Sequence, residues 1–319
     1  MIKPIDIYRF VRRYNNDYKK SKSQKIKVFN SLLPDNWLTK FIIDRDILDL
    51  NSKRTLSLFS VNGDRLAIDI NRSDYKIFCT GENVHVPYSH WAKYEDLLLN
   101  KKSIDLSLGF DYLDHEKYFR FPLWLMYFFR PTDNFQEIKL TCERLNRSLI
   151  SIEDRKKFCT FICKNDYFGD RIKMYNEINQ IAQIDCGGLF MKNDDSLLTK
   201  YNDNKLEYLK QFRFNLCPEN SNNEGYVTEK IFEAISSGCI PIYWGSNNNP
   251  EPNIINKDAV FFIDNSHSSP KVINEIGILN SSPKLYKEFA EQDRLLPNAP
   301  EVIFEFFENL EKKMIDIIK

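Results

Sequence analysis

Residues 213–246 read RFNLCPENSNNEGYVTEKIFEAISSGCIPIYWGS. The apolar run through Phe214, Leu216 and Cys217 has the length and composition of a strand, and it gives way to a polar loop from Glu219 to Gly225. Thr228 then stands as an N-cap before a helical pattern over 229–237. Gly238 supplies the left-handed residue that closes it, and 239–244 is strand-like again. Upstream the alternation continues with a strand at 157–163, a helix at about 171–182, a short strand to Asp185, Gly187 and Gly188, and a helix near 206–211. Strands and helices taking turns in this way predict a doubly wound α/β domain.

Outward from that domain the pattern is less regular. Apolar runs at 25–29, 55–61, 75–79 and 104–110 are strand-length but do not alternate. Strands buried on both faces of a parallel sheet look like this. A polar stretch at 143–157 separates the halves, so the expected domains are 1–150 and 151–299. Residues 300–319 repeat Ile303, Phe307, Leu310, Met314 and Ile317 at helical spacing, which predicts a terminal helix packed on the body.

Composition narrows the function. The 319 residues carry 45 Lys plus Arg against 45 Asp plus Glu, so no global field favours nucleic acid. The longest nearly apolar run, 122–129, is far short of the roughly 20 residues a membrane span needs. The first 28 residues hold nine Lys or Arg against two Asp, with Tyr8, Val11 and Tyr14 on an amphipathic pattern. This is the signature of a solvated helix, or of weak peripheral attraction to an anionic membrane face. The seven cysteines form no Cys-x-x-Cys and mostly sit in apolar runs, which fits small core residues in a reducing, cytoplasmic compartment. Cys79, His85 and His90 have no standard zinc spacing, and no structural metal is expected.

Ligands of open α/β sheets collect beyond the carboxyl ends of the strands. There the sequence places Asn165 after one strand and Glu219, Asn220 and the rest of the 219–225 loop after another. Arg171, just after an expected N-cap at Asp170, and Lys230, just after Thr228, put cations in the first turns of two helices. The helix dipole favours anions at that end, so a bound anion such as a diphosphate would supply the missing charge; the alternative is that both side chains turn into solvent. Glu229 beside that position suits sugar hydroxyls, or is a helix-start glutamate. Glu82, on a glycine-loosened turn after 75–79, is a general base or a solvated loop residue. No Gly-x-Gly-x-x-Gly or Walker loop is present. Asp44 and Asp46 form an Asp-x-Asp that shares no loop with these groups and reads as surface.

The 213–246 stretch closely resembles the donor-binding motif of the α-1,3/4-fucosyltransferases, glycosyltransferase family 10. FCTGEN at 78–83, LGFDY at 108–112, Arg120 to Pro122, KFCTFICKN at 157–165 and Arg171 agree with it. The resemblance implies a GT-B fold: two Rossmann-like doubly wound domains facing a cleft, the first binding acceptor and supplying the base, the second binding GDP-fucose. Carried over, Glu82 corresponds to the catalytic base, Arg171 and Lys230 to the diphosphate ligands, and Glu229 to the residue holding fucose hydroxyls. Asn165, Glu219, Asn220, Tyr226 and Thr228 fall in the donor site. Pro218, where an aromatic is common, and the Asn222 to Glu224 insert depart from the pattern.

The function this implies is inverting α-1,3-fucosyl transfer from GDP-fucose to a hydroxyl of a GlcNAc- or Glc-containing glycan on protein or lipopolysaccharide. No cofactor is required, and a divalent cation is at most stimulatory. The chain reads as a short, anchor-free enzyme of bacterial or viral type. The rivals are a GT-B enzyme using another nucleotide sugar and a non-catalytic nucleotide-sugar or glycan-binding protein.

Overall fold

The computed structural model describes residues 11, 24–29, 34–99, 103–147, 154–264 and 269–318. Apart from Val11, the basic amphipathic segment at the amino terminus lies outside them. The chain divides into two compact units, Met1–Asn134 with Phe304–Lys319, and Phe135–Ile303. The division falls before the helix Phe135–Asn146, not at residue 150, because that helix packs on the helix Glu229–Ser236 of the second unit.

In the first unit β1 (Ile26–Phe29), β2 (Leu56–Ser60), β3 (Tyr75–Cys79), β4 (Leu106–Gly109) and β5 (Tyr118–Arg120) form a parallel sheet whose order follows the chain. All five residues of β2 are buried, Ser57 and Ser60 with the apolar Leu56, Leu58 and Phe59, so neither face of the strand is turned to solvent. Phe29 stacks on Phe59 at 5.2 Å and Phe78 on Tyr94 at 6.0 Å within the core of this sheet. β5 was not legible: three residues with Arg120 among them give no periodic signal.

In the second unit β6 (Lys157–Phe161), β7 (Ile184–Asp185), β8 (Phe212–Pro218), β9 (Ile240–Trp244) and β10 (Phe261–Phe262) form a parallel sheet in the order β10-β9-β8-β6-β7. Its core joins Phe161, Met174, Ile178, Phe214, Leu216, Ile240 and Ile242. The helix Glu229–Ser236 ends as expected, with Gly238 at φ 76° donating its amide to Ile235 O at 2.9 Å.

The terminal helix spans Ala299–Ile318. Ile303, Phe307, Leu310 and Met314 are fully buried; the last buried position is Ile318 rather than Ile317, since a straight helix drifts off a strict repeat over five turns. All seven cysteines are free and buried, and burial raises the Cys79 thiol to about 12, so it is a core residue and not a ligand or nucleophile. No described helix is long and apolar enough to cross a membrane.

Candidate functional site

The second sheet fixes where a ligand can sit. From β6 the chain passes to β7 on one side and later to β8 on the other, so the loops leaving β6 and β8 diverge and open a crevice between them. Asn165 and Arg171 follow β6; Glu219 and Asn220 follow β8. The Arg171 guanidinium spans this gap. One nitrogen donates to Asn220 Oδ1, and the other to Asn165 O at 2.7 Å and Cys163 Sγ at 3.1 Å. Arg171 is only 7% exposed, its acceptors are all neutral, and among the described residues no carboxylate pairs with its side chain. A buried cation held this way keeps an uncompensated charge.

Lys230 is in the opposite situation. Glu219 has no exposed surface, and its two oxygens are filled from within the chain. Oε1 accepts the Thr228 amide at 2.8 Å and the Tyr243 hydroxyl at 3.4 Å; Oε2 accepts the Thr228 hydroxyl at 2.7 Å and Lys230 Nζ at 3.0 Å. Lys230 also donates to Thr228 Oγ1 at 2.7 Å and lies 3.7 Å from Glu229 Oε1. Burial works to lower the pKa of Lys230, but the charges of Glu219 and Glu229 outweigh it and hold the ammonium above its ordinary value. The positive charge of Arg171 acts in the opposite sense on Lys230. Burial likewise works to raise the Glu229 carboxyl, yet Lys230 and Lys205 pull it below its ordinary value, so it is ionised at neutral pH. Tyr226 and Thr228 are buried, Asn165 is half-buried and Asn220 is exposed.

The close packing around Glu219 has a sequence cause. Gly245 sits at φ 141°, and a Cβ there would lie 2.6 Å from Glu219 Cγ. The Trp-Gly-Ser at 244–246 therefore leaves room for the carboxylate beneath it.

Two expectations are corrected here. Gly169 at φ 71°, not Asp170, is the N-cap of the helix Asp170–Ile178, and Asp166 supplies the anion at that helix start by accepting the amides of Arg171 at 3.2 Å and Ile172 at 2.9 Å. At the other helix Glu219 neutralises Lys230, and the Thr228 hydroxyl turns to Glu219 instead of capping. Cations in first turns therefore do not by themselves demand a bound anion, because the chain provides two carboxylates. Of these two first-turn cations, Arg171 is the one whose side chain has no carboxylate partner among the described residues. Asp166 carries no capping signal in the sequence because it reaches the helix across a loop, four residues ahead of Asp170.

In the first unit Glu82 stands beyond the carboxyl end of β3. Its amide donates to Thr80 Oγ1 at 3.1 Å, the Thr80 hydroxyl donates to Glu82 O at 2.9 Å, and the Thr80 amide is tied to Leu108 O of β4 at 3.0 Å. Gly81 does not loosen this turn. A Cβ there would lie 2.5 Å from Leu123 Cδ2, so the glycine is there for the close approach of Leu123. Asp44 ends the helix Trp37–Asp44, and Arg45 beside it lies over the Phe41 ring at 4.7 Å and pairs with Glu311, a surface role. Among the described residues no group of three His, Cys, Asp or Glu side chains is placed to hold a metal ion.

Residues 152–296 match the family model described as glycosyltransferase family 10 (fucosyltransferase) C-term, and residues 26–127 match the alpha-(1,3)-fucosyltransferase FucT N-terminal domain. The chain belongs to glycosyltransferase family 10. Among the relatives of this family-10 chain, alpha-(1,3)-fucosyltransferase FucT of Helicobacter pylori is 29% identical over 195 residues, which take in 54% of this chain and 37% of that protein. Alpha-(1,3)-fucosyltransferase B of Drosophila melanogaster is 29% identical over 137 residues, 40% of this chain and 30% of that protein. The chain thus spans well under two thirds of the length of these relatives. The fold is similar to that of a crystal structure of an alpha1,3-fucosyltransferase, with a TM-score of 0.56 at 23% identity over 90% of this chain and 89% of the other. A second structure, of an alpha1,3-fucosyltransferase with GDP-fucose, gives 0.54 at 23% identity over 90% of each chain. Two parallel-sheet α/β units of this kind make up the GT-B fold.

Proposed function

We propose that the protein is a GDP-fucose-dependent α-1,3-fucosyltransferase that transfers L-fucose, with inversion, to a hydroxyl of a GlcNAc- or Glc-containing glycan. The observation that carries this reading is the Arg171 guanidinium, buried at the switch point of the second sheet with neutral partners among the described residues, and bonded to Asn220 of the loop whose Glu219 holds Lys230. A diphosphate at that point would meet two cations. Membership of family 10 makes GDP-fucose the donor to expect there.

The mechanism follows from where charge develops. Glu82 accepts the proton of the acceptor hydroxyl as its oxygen attacks the anomeric carbon and GDP departs. The diphosphate gains negative charge as the bond breaks. Arg171 and Lys230 are held before the reaction begins, so they favour the transition state over the ground state without paying for reorganisation at that moment. The ionised Glu229 accepts fucose hydroxyls. Asn165 and Asn220 hold the Arg171 fork from either side of the crevice, Tyr226 and Thr228 line the donor side, and Glu219 acts on the donor through Thr228 and Lys230.

An array of glycan acceptors incubated with labelled GDP-fucose tests the reading, with titration calorimetry on GDP-fucose and a UDP-sugar beside it. Transfer of fucose, and its loss in Glu82→Gln with donor affinity kept within a few fold, are the expected results. Preference for the UDP-sugar, or unchanged turnover in Glu82→Gln, rejects the assignment.

A further inference from the structure

His85 lies three residues beyond Glu82 on the same loop. Its Nδ1 is 2.9 Å from Glu95 Oε1 and its Nε2 is 2.7 Å from Asp111 Oδ1. An ionised carboxylate only accepts hydrogen bonds, so a ring with a carboxylate on each nitrogen satisfies both only when both nitrogens carry hydrogen. The side chain is a quarter exposed, and the ring meets Phe110 edge-on at 6.0 Å.

The two carboxylates belong to different elements. Glu95 is on the short 3-10 helix Ala92–Leu97, and Asp111 follows β4. Asp111 is itself fixed, since Tyr118 of β5 accepts its amide at 2.9 Å and reaches its carboxylate at 3.4 Å. On the loop side the His85 amide donates to Asn83 Oδ1 at 3.0 Å. The base-bearing turn is thus tied at its start by Thr80 and at its end by His85.

We propose that His85 is a positioning residue for Glu82: as an imidazolium it fastens the end of the Glu82 loop to two neighbouring elements. This rests on the reading of Glu82 as the base. The Asp111 hydrogen bond, working against desolvation and helped by Glu95, lifts the pKa of His85 from 6.5 to about 9. The fastening is therefore complete at neutral pH and is lost as pH rises through about 9. A neutral ring then turns a lone pair toward one carboxylate. The residues placed at the donor diphosphate are on the second unit, so loosening the loop lowers turnover and leaves GDP affinity alone.

Three measurements decide it: long-range 1H–15N NMR of the imidazole between pH 6 and 11, the pH dependence of kcat, and kinetics of His85→Gln and His85→Arg beside Glu82→Gln. The doubly protonated ring should persist at pH 7.5 and titrate near pH 9, with an alkaline fall in wild-type kcat at the same midpoint. His85→Gln should lose about 10- to 100-fold in kcat, the scale of a small misplacement of a reacting group, with GDP affinity within about twofold. His85→Arg, a permanent two-sided donor, should recover part of kcat and lose the alkaline fall. A ring that is neutral at pH 7.5, or His85→Gln with wild-type kcat while Glu82→Gln is inactive, overturns the proposal. Should His85→Gln not fold, the titration and the wild-type profile still decide. Full turnover in Glu82→Gln instead refutes the base assignment, while the NMR midpoint continues to report on His85 separately.

Discussion

The Glu219 carboxylate, without exposed surface, and the Lys230 ammonium lie 3.0 Å apart, and the Thr228 hydroxyl bonds to both. Lys230 thus comes to the crevice already neutralised. Glu219→Gln removes the nearer counter-charge of Lys230 and leaves it the Glu229 carboxylate at 3.7 Å, a change that costs about 1.5–3 kcal/mol. It also raises the positive potential that a diphosphate would feel. The variant should melt several degrees lower, and saturating GDP should raise its Tm by more than it raises that of the wild type, because the ligand then supplies the missing anion. Equal GDP-induced shifts in a thermal melt would show that the ligand does not reach Lys230.

Arg171 differs in that its acceptors among the described residues are all neutral. Arg171→Ala should therefore weaken GDP binding by about 1.5–3 kcal/mol, the range for hydrogen bonds to charged groups, read as a roughly 10- to 150-fold rise in Kd by calorimetry. Arg171→Lys should not restore it. One ammonium cannot replace a fork that meets Asn165, Cys163 and Asn220 at once, and the two loops flanking the crevice would lose their tie. Wild-type affinity in Arg171→Lys would mean that charge alone, not the fork, is what matters.

Gly245 offers a test of how Glu219 is held. A methyl group at φ 141° would lie 2.6 Å from Glu219 Cγ and 2.9 Å from its Cβ, with the chain on the far side fixed by Ser246, whose Oγ accepts the Gly225 amide at 3.0 Å. Gly245→Ala should cost several kcal/mol, combining backbone strain with displacement of a buried charge. Gly169→Ala is the control. Gly169 is also left-handed, at φ 71°, but a Cβ there meets nothing within 4 Å, so it should cost only about 1–2 kcal/mol. Urea midpoints of the two variants decide the order.

Much of this architecture could be read before any coordinates, for a reason visible in particular residues. β8, the helix Glu229–Ser236 and β9 carry strong periodic signals, and Gly238 marks the turn between the last two. β5 and β10, with three and two residues, carry none. Asn165, Arg171, Glu219 and Asn220 lie at one switch point because the sheet order β8-β6-β7, in which the chain reverses direction across the sheet, puts the β6 and β8 loops side by side. Partner assignments were the illegible part. Glu219 pairing with Lys230, or Asp166 capping a helix four residues on, depends on loop paths that sequence spacing does not specify. Helix-end cations do not reveal a bound anion on their own, because folding brings Asp166 and Glu219 to those helix starts.

Asp194 shows how one such loop path should respond to acid. Its Oδ1 accepts the Ser196 amide at 2.8 Å; its Oδ2 accepts the Tyr208 hydroxyl at 3.0 Å and Lys157 Nζ at 3.3 Å. Together these tie the segment after β7 to β6 beneath the crevice. Desolvation works to raise the carboxyl, but Ser196, Tyr208 and Lys157 outweigh it and depress the pKa from 3.8 to about 2. A depressed carboxyl contributes stability that is fully present above pH 3.8 and disappears as pH falls through about 2. The contribution is roughly 2 kcal/mol at most. Asp194→Asn cannot gain or lose that charge. Its urea midpoint should lie below that of the wild type at pH 6, and the difference should shrink steadily between pH 4 and pH 2 as the wild type loses what the variant never had. A difference that stays constant over that interval would place the acid sensitivity of this unit on other carboxylates.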